Sequence, residues 1–321
     1  MSQETVWLLS EEGILDFSGE PIDDAPFQPR CCDRDSKQPA SVIAGGVGQD
    51  RLSVIVNDHE VWTYASGTWD QQVSTDITLN CVCWTSDDRL LVGTERARLA
   101  WVADGELNFI DSFDAVPERK LWKTPWGGPP DVRSLAVSTD GTIYANIHVG
   151  WVVRSRDGGK TWANLQEGLE MDVHQVATHP SDPATVFAAT ASGFYISRDY
   201  GDTFAHQRSG MPYYYQRACA CFPESNVYLV STSRGPHSRV DAQLYRSDDA
   251  GENWALVAGL PEQIGENIDT FQIITVGGPS ALVVVDDTAL YQTDDCGLNW
   301  QKVADYPRLY GGLVVQMPQA A

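Results

Sequence analysis

The sequence predicts an all-β fold in which one four-stranded antiparallel unit is repeated along the chain, and three observations predict it. An eight-residue pattern, Ser/Thr-x-Asp-x-Gly-x-Thr/Asn-Trp/Phe, recurs four times, starting at Ser155, Ser197, Ser247 and Thr293. Successive copies begin 42, 50 and 46 residues apart, a period that marks a stacked or radial array of one small unit. Each copy follows one short apolar run and its aromatic opens another, and no long stretch carries a helical period.

The pattern reads as a hairpin turn. The carboxylates of Asp157, Asp199, Asp249 and Asp295 can accept turn N–H groups, as in an Asx-turn. Gly159, Gly201, Gly251 and Gly297 supply a positive φ without steric cost. The hydroxyls of Ser155, Ser197, Ser247 and Thr293 can tie the turn from its other side. Trp162, Phe204, Trp254 and Trp300 can plug the gap between turn and sheet. None of this chemistry needs a ligand, so these positions are assigned a structural role. The copies resemble the Asp-box, or BNR repeat, of sialidases, sortilin-type receptors, photosystem II assembly factors and many uncharacterised bacterial proteins. The resemblance implies a β-propeller. It implies no single activity, because one fold hosts many functions.

In chain order, residues 5–9 and 13–17 read as two strands around a tight turn, and residues 18–39 as a polar, Pro-bearing loop. Degenerate blades occupy 40–73 and 77–112; Gly67-Thr68-Trp69 is a worn box tail, and Ala103-Asp104-Gly105 has lost the box. Residues 113–130 read as a long loop carrying Trp122 and Trp126, of a length that is often functional. Clear Asp-box blades follow at 131–166, 172–207, 215–258 and 269–304. Residues 5–17 and 312–316 then make a composite blade, in which both termini share one sheet and hide two strand edges. The expectation is a single domain over 1–321, a seven-bladed propeller closed by both termini. Six blades, with the N-terminal hairpin packed outside, is the alternative.

Composition narrows the partners. With 22 Lys and Arg against 44 Asp and Glu, the net charge of −22 argues against nucleic acid or an anionic membrane as the main partner. No basic, apolar leader opens the chain and no apolar run could span a bilayer, so the expectation is a cytoplasmic protein. The seven Cys include the adjacent Cys31-Cys32 and the alternating pairs Cys81/Cys83 and Cys219/Cys221, which suit buried thiols rather than a disulfide framework. A zinc site using Cys31 and Cys32 lacks the usual ligand spacing.

Propeller topology places the boxes on one face and the connections between blades on the other, around the channel mouth. That second face receives Trp126, Asp131, Arg133, Asp172, His174, Tyr213, Tyr214, Tyr215 and Arg217 between blades, and His59, Arg96, His148, Arg234, His237 and Arg239 between second and third strands. A locally cationic, aromatic-lined pocket is therefore expected, suited to a small polar, anionic or carbohydrate-like ligand. Arg133, Arg217 and Arg234 can fork onto a carboxylate or phosphate. His148 or His174 can act as a base beside Tyr215, and Asp131 and Asp172 can orient the basic groups. A divalent metal held by His148, His174 and His237 is a further reading, on a spacing that matches no metal motif; no other cofactor is evident. The alternative to a ligand site is that these groups brace neighbouring blades.

Sialidases add a Phe-Arg-Ile-Pro-type motif, an arginine triad and a Tyr–Glu nucleophile. Phe27-Gln28-Pro29-Arg30 puts Arg in the wrong place, and Tyr215 has no evident Glu partner. No catalytic role carries over. No Gly-x-Ser-x-Gly elbow or phosphate-binding loop occurs. Three classes stay open: a small-ligand binder, a hydrolase or lyase, and a protein-binding scaffold or assembly factor.

Overall fold

Strands that alternate or run apolar here stack as sheets around a common axis. The computed structural model describes residues 3–22, 25–27, 30–33, 36–38, 40–237 and 239–317. Blade 1 comprises Val42–Val47, Arg51–Val56, Glu60–Ala65 and Thr68–Ser74, and blade 2 comprises Leu79–Trp84, Leu90–Thr94, Arg98–Ala103 and Glu106–Phe109. Blade 3 has Val132–Val137, Ile143–Ile147, Val152–Ser155 and Ala163–Leu165; blade 4 has Val173–Thr178, Val186–Thr190, Gly193–Ser197 and Ala205–Gln207. Blade 5 has Cys219–Cys221, Tyr228–Thr232, Gln243–Ser247 and Ala255–Leu256; blade 6 has Ile273–Thr275, Ala281–Val285, Ala289–Thr293 and Gln301–Asp305.

Blade 7 joins the two ends of the chain. Leu309–Met317 is innermost, Gln3–Ser10 pairs with it, Gly13–Leu15 follows, and a bridge from Leu15 to Pro21 stands where a fourth strand would be. The innermost strands touch in an unbroken ring, that of blade 7 lying between those of blades 6 and 1. The fold is a seven-bladed, all-β propeller, and the six-bladed alternative is excluded.

The core is the set of spaces between blades. Second strands such as Ile143–Ile147, Val186–Thr190 and Ala281–Val285 are buried at every residue, because a neighbouring blade packs against each of their two faces. Small residues let inner strands approach: a Cβ on Gly93 would lie 2.6 Å from Cys81 Sγ and from Val132 Cγ1 of the next blade.

The boxes form as expected, with one addition. In blade 3, Ser155 Oγ donates to Asp157 (2.9 Å) and accepts the Gly159 N–H (2.8 Å), while Asp157 accepts the Thr161 N–H (2.9 Å) and hydroxyl (2.6 Å). Blades 4, 5 and 6 repeat this around Asp199, Asp249 and Asp295. The residue before each box glycine is also left-handed: Gly158, Tyr200, Ala250 and Cys296 have φ of 70, 64, 61 and 55°. Its carbonyl turns outward to the preceding blade, where an arginine takes it. Arg89 donates to Gly158 O (2.9 Å), Arg154 to Tyr200 O (2.7 Å), Arg198 to Ala250 O (2.8 Å) and Arg246 to Cys296 O (2.7 Å). Each box thus staples its own hairpin and latches its blade to the one before. Trp254 and Trp300 are buried, but Trp162 is only half-buried, with Phe113 edge-on to it at 5.2 Å.

The stretch 113–130, read as loop, is partly helical. Asp111–Asp114 makes one α-turn and Pro117–Leu121 a 3-10 turn, where Pro occupies a first-turn position that needs no N–H donor. Buried Phe113 and Trp122 anchor it, leaving Trp126 at its exposed tip. The thiols of Cys83, Cys219 and Cys221 are pushed up to about 12 by burial, so they are inert. The side chains of Cys31 and Cys32 lie outside the described residues.

Candidate functional site

Single-residue bulges create the site. In blades 1, 3 and 4 the ladder between first and second strands slips by one residue, leaving Ile43, Arg133 and His174 unpaired at the start of the innermost strand. Asn80 is the bulged residue in blade 2. A bulge re-aims its side chain, here at one rung of the ring. Arg217, just before the innermost strand of blade 5, and Asp269, before that of blade 6, continue the arc.

His174 is 1 % exposed; its Nδ1 lies 2.5 Å from Gln216 O and its Nε2 3.4 Å from Asp172 Oδ1. Its ring centroid lies 4.8 Å from that of Tyr215 and 6.5 Å from that of His148. Arg217 pairs with Asp269 at 2.7 Å and sits over the Tyr215 ring at 5.5 Å. Burial opposes the Arg217 charge, but Asp269 and Tyr215 together offset this and raise its pKa. Arg133 is half-buried, and desolvation together with the Arg217 charge lowers its pKa. It makes no hydrogen bond and no ion pair among the described residues. Burial raises the Asp131 carboxyl, helped by Glu95 and opposed by Arg133. Burial and then Arg133 lower His148 to about 4, so its imidazole is neutral near pH 7. Trp126, 75 % exposed, stands edge-on to His148 at 5.3 Å.

The structure therefore gathers Trp126, Asp131, Arg133, His148, Asp172, His174, Tyr215 and Arg217. Arg234 is apart: it is exposed and engages Tyr213 and Asp241. His237 is exposed. Among the described residues, no three His, Cys, Asp or Glu converge as metal ligands. The expectation of a cationic pocket is corrected. Asp131, Asp172 and Asp269 set three carboxylates against two guanidiniums, because strand alternation brings an acid two residues from Arg133 and His174. Sequence reasoning missed Asn80, Asp269 and Thr270, whose hydroxyl donates toward Arg217 O (3.0 Å) and His174 O (3.2 Å).

The opposite face also has a concavity, of about 590 Å³, between blades 2 and 3. Its acids Asp87, Asp140 and Asp157 are already occupied by their own turns, which makes it part of the box architecture.

Four boxes in register within a closed ring decide the type of fold. The chain is an Asp-box, or BNR-type, β-propeller. The Sortilin-Vps10 family (Sortilin, neurotensin receptor 3) matches residues 150–267 of the propeller. A xyloglucanase from Hypocrea jecorina (strain QM6a) is 22 % identical over 307 residues, covering 85 % of this chain and 35 % of its own. The propeller thus spans about a third of that relative's length. The GH74 xyloglucanase from Xanthomonas campestris superimposes with a TM-score of 0.62 at 17 % identity, over 83 % of this chain and 47 % of its own. The structure of YCF48 bound to D1 peptide superimposes with a TM-score of 0.56 at 16 % identity, over 82 % of each chain. These likenesses are of fold.

Proposed function

We propose that this propeller binds a small polar ligand bearing an acid group at the channel mouth. The carrying observation is Arg133, a half-buried guanidinium without a hydrogen bond or ion pair among the described residues. Its donors are open to a ligand in the channel, and a guanidinium can fork onto a carboxylate. Neutral His148 offers one donor and one acceptor beside it. Trp126 gives a flat apolar face at the rim. A xyloglucanase relative is consistent with a hydroxyl-rich, carbohydrate-like ligand.

The test is a thermal-shift screen with sugar acids, neutral sugars, phosphorylated metabolites and xyloglucan fragments on the parent, Arg133→Ala and His174→Ala. A ligand that raises the parent's melting temperature and neither variant's supports the reading. Equal shifts in all three would refute it. One observation favours a second reading, a peptide-binding scaffold: the structure of YCF48 bound to D1 peptide matches over most of both chains. Stabilisation by acidic peptides and by no small molecule would select it.

A further inference from the structure

We propose that Asp269 sets the ligand charge this site accepts: by pairing with Arg217 it leaves Arg133 as the guanidinium of the site with no ion pair among the described residues, so the channel mouth takes a monocarboxylate in preference to phosphate. This rests on the channel-mouth reading and goes further, to the class of acid.

Asp269 lies outside every box and strand, in a segment that crosses toward the channel before the innermost strand of blade 6. The crossing is held firmly. The Asp269 N–H donates to Gln272 Oε1 at 2.6 Å, and buried Gln272 is itself anchored on Asp287 (3.0 Å) and on Leu309 O (3.2 Å). The Thr270 hydroxyl reaches carbonyls of blades 4 and 5. Phe271 adopts φ of 70°, a conformation that costs a bulky residue and persists only where its surroundings impose it. Its side chain packs with the cluster of Cys81 and Val132, which belongs to blades 2 and 3. Blade 6 therefore reaches across the ring to blades 2 and 3 and, in the same three residues, delivers Asp269 to Arg217.

The charge count follows. Arg133 feels Arg217, Asp269 and Asp172 together. A monoanion forked onto Arg133 adds one negative charge beside these carboxylates, while a phosphate dianion adds nearly two. With the Asp269 charge removed, Arg217 is released and two guanidiniums face the ligand, the arrangement that suits phosphate. A mere brace between blades would carry no such selectivity, and the 40 % exposure of the Asp269 side chain leaves it in reach of solute.

Calorimetric titration with glucuronate and with inorganic phosphate tests this on the parent, Asp269→Asn, Asp269→Ser and Arg133→Ala. The parent is expected to bind glucuronate at least about tenfold more tightly than phosphate, and both Asp269 variants to gain about tenfold or more for phosphate. Serine guards against a local effect of the asparagine amide. Phosphate affinity unchanged in both variants, or a parent that prefers phosphate, overturns the proposal. Loss of glucuronate binding in Arg133→Ala supports the channel-mouth reading independently. Undiminished binding in that variant removes the reading itself.

Discussion

His148 shows how one environment can make a side chain report on its ligand. Half-buried beside Arg133, it is held down at about 4 instead of near 6.5. The unfolded chain therefore takes up a proton before the folded one does. Stability from this group is full above about pH 6.5 and is lost as pH falls toward 4. An acid bound on Arg133 reverses the local field, so the His148 pKa is expected to rise on ligand binding. Titration of the imidazole by NMR, with and without saturating glucuronate, reads this directly, and an unmoved pKa places the ligand elsewhere. Little of this was legible in the sequence. Alternation along the first strand put Asp131 with Arg133 and Asp172 with His174. The bulges that turn Arg133 and His174 into the ring leave no mark in residue order, and Asp269 sits in a loop without pattern.

At the scale of the element, the box was legible because its chemistry is local: every bond of the staple lies within eight residues. The latch was not, because its donors occupy no fixed place. Arg89 precedes a second strand, Arg154 and Arg246 stand one residue before a box, and Arg198 lies inside one. A charged donor on a half-buried carbonyl contributes about 1.5–3 kcal/mol. Arg246→Met is therefore expected to lower unfolding free energy by about that amount in urea. Lys302→Met, which removes an exposed pair with Asp305, should cost less than about 1 kcal/mol. Equal effects would show that the latch contributes nothing beyond surface charge. Acid acts on the same element. Thr161 hydrogen bonds hold Asp157 at about 2, and those of Asn253 do the same for Asp249. Their contribution is present above about pH 4 and fades as pH falls toward 2.

Across the whole molecule the latches run one way, from blade 2 to blade 6; other links serve elsewhere, such as the Arg51–Asp88 pair between blades 1 and 2 (2.8 Å), the Tyr306 hydroxyl donating to Phe17 O between blades 6 and 7 (2.8 Å), and strand pairing within blade 7. The worn turn of blade 7 keeps an acid, Asp16, which accepts the N–H groups of Ser18 and Glu20, but Pro21 stands where the other boxes have an aromatic. Hydrogen exchange is expected to deprotect Gln3–Ser10 and Leu309–Met317 before Ile143–Ile147 and Val186–Thr190. Earlier exchange in blades 3 and 4 would contradict that order. The pairing also decides how the ring answers force. Gln3 lies opposite Met317 and Ser10 opposite Leu309, so the outer ends of the two strands leave the sheet side by side. Tension applied there strains one rung of the ladder at a time, as in a zipper, instead of shearing all rungs together. The circle yields at its seam while the six latched or packed blades stay shut, so a gentle pull converts a closed ring into an open arc without unfolding it.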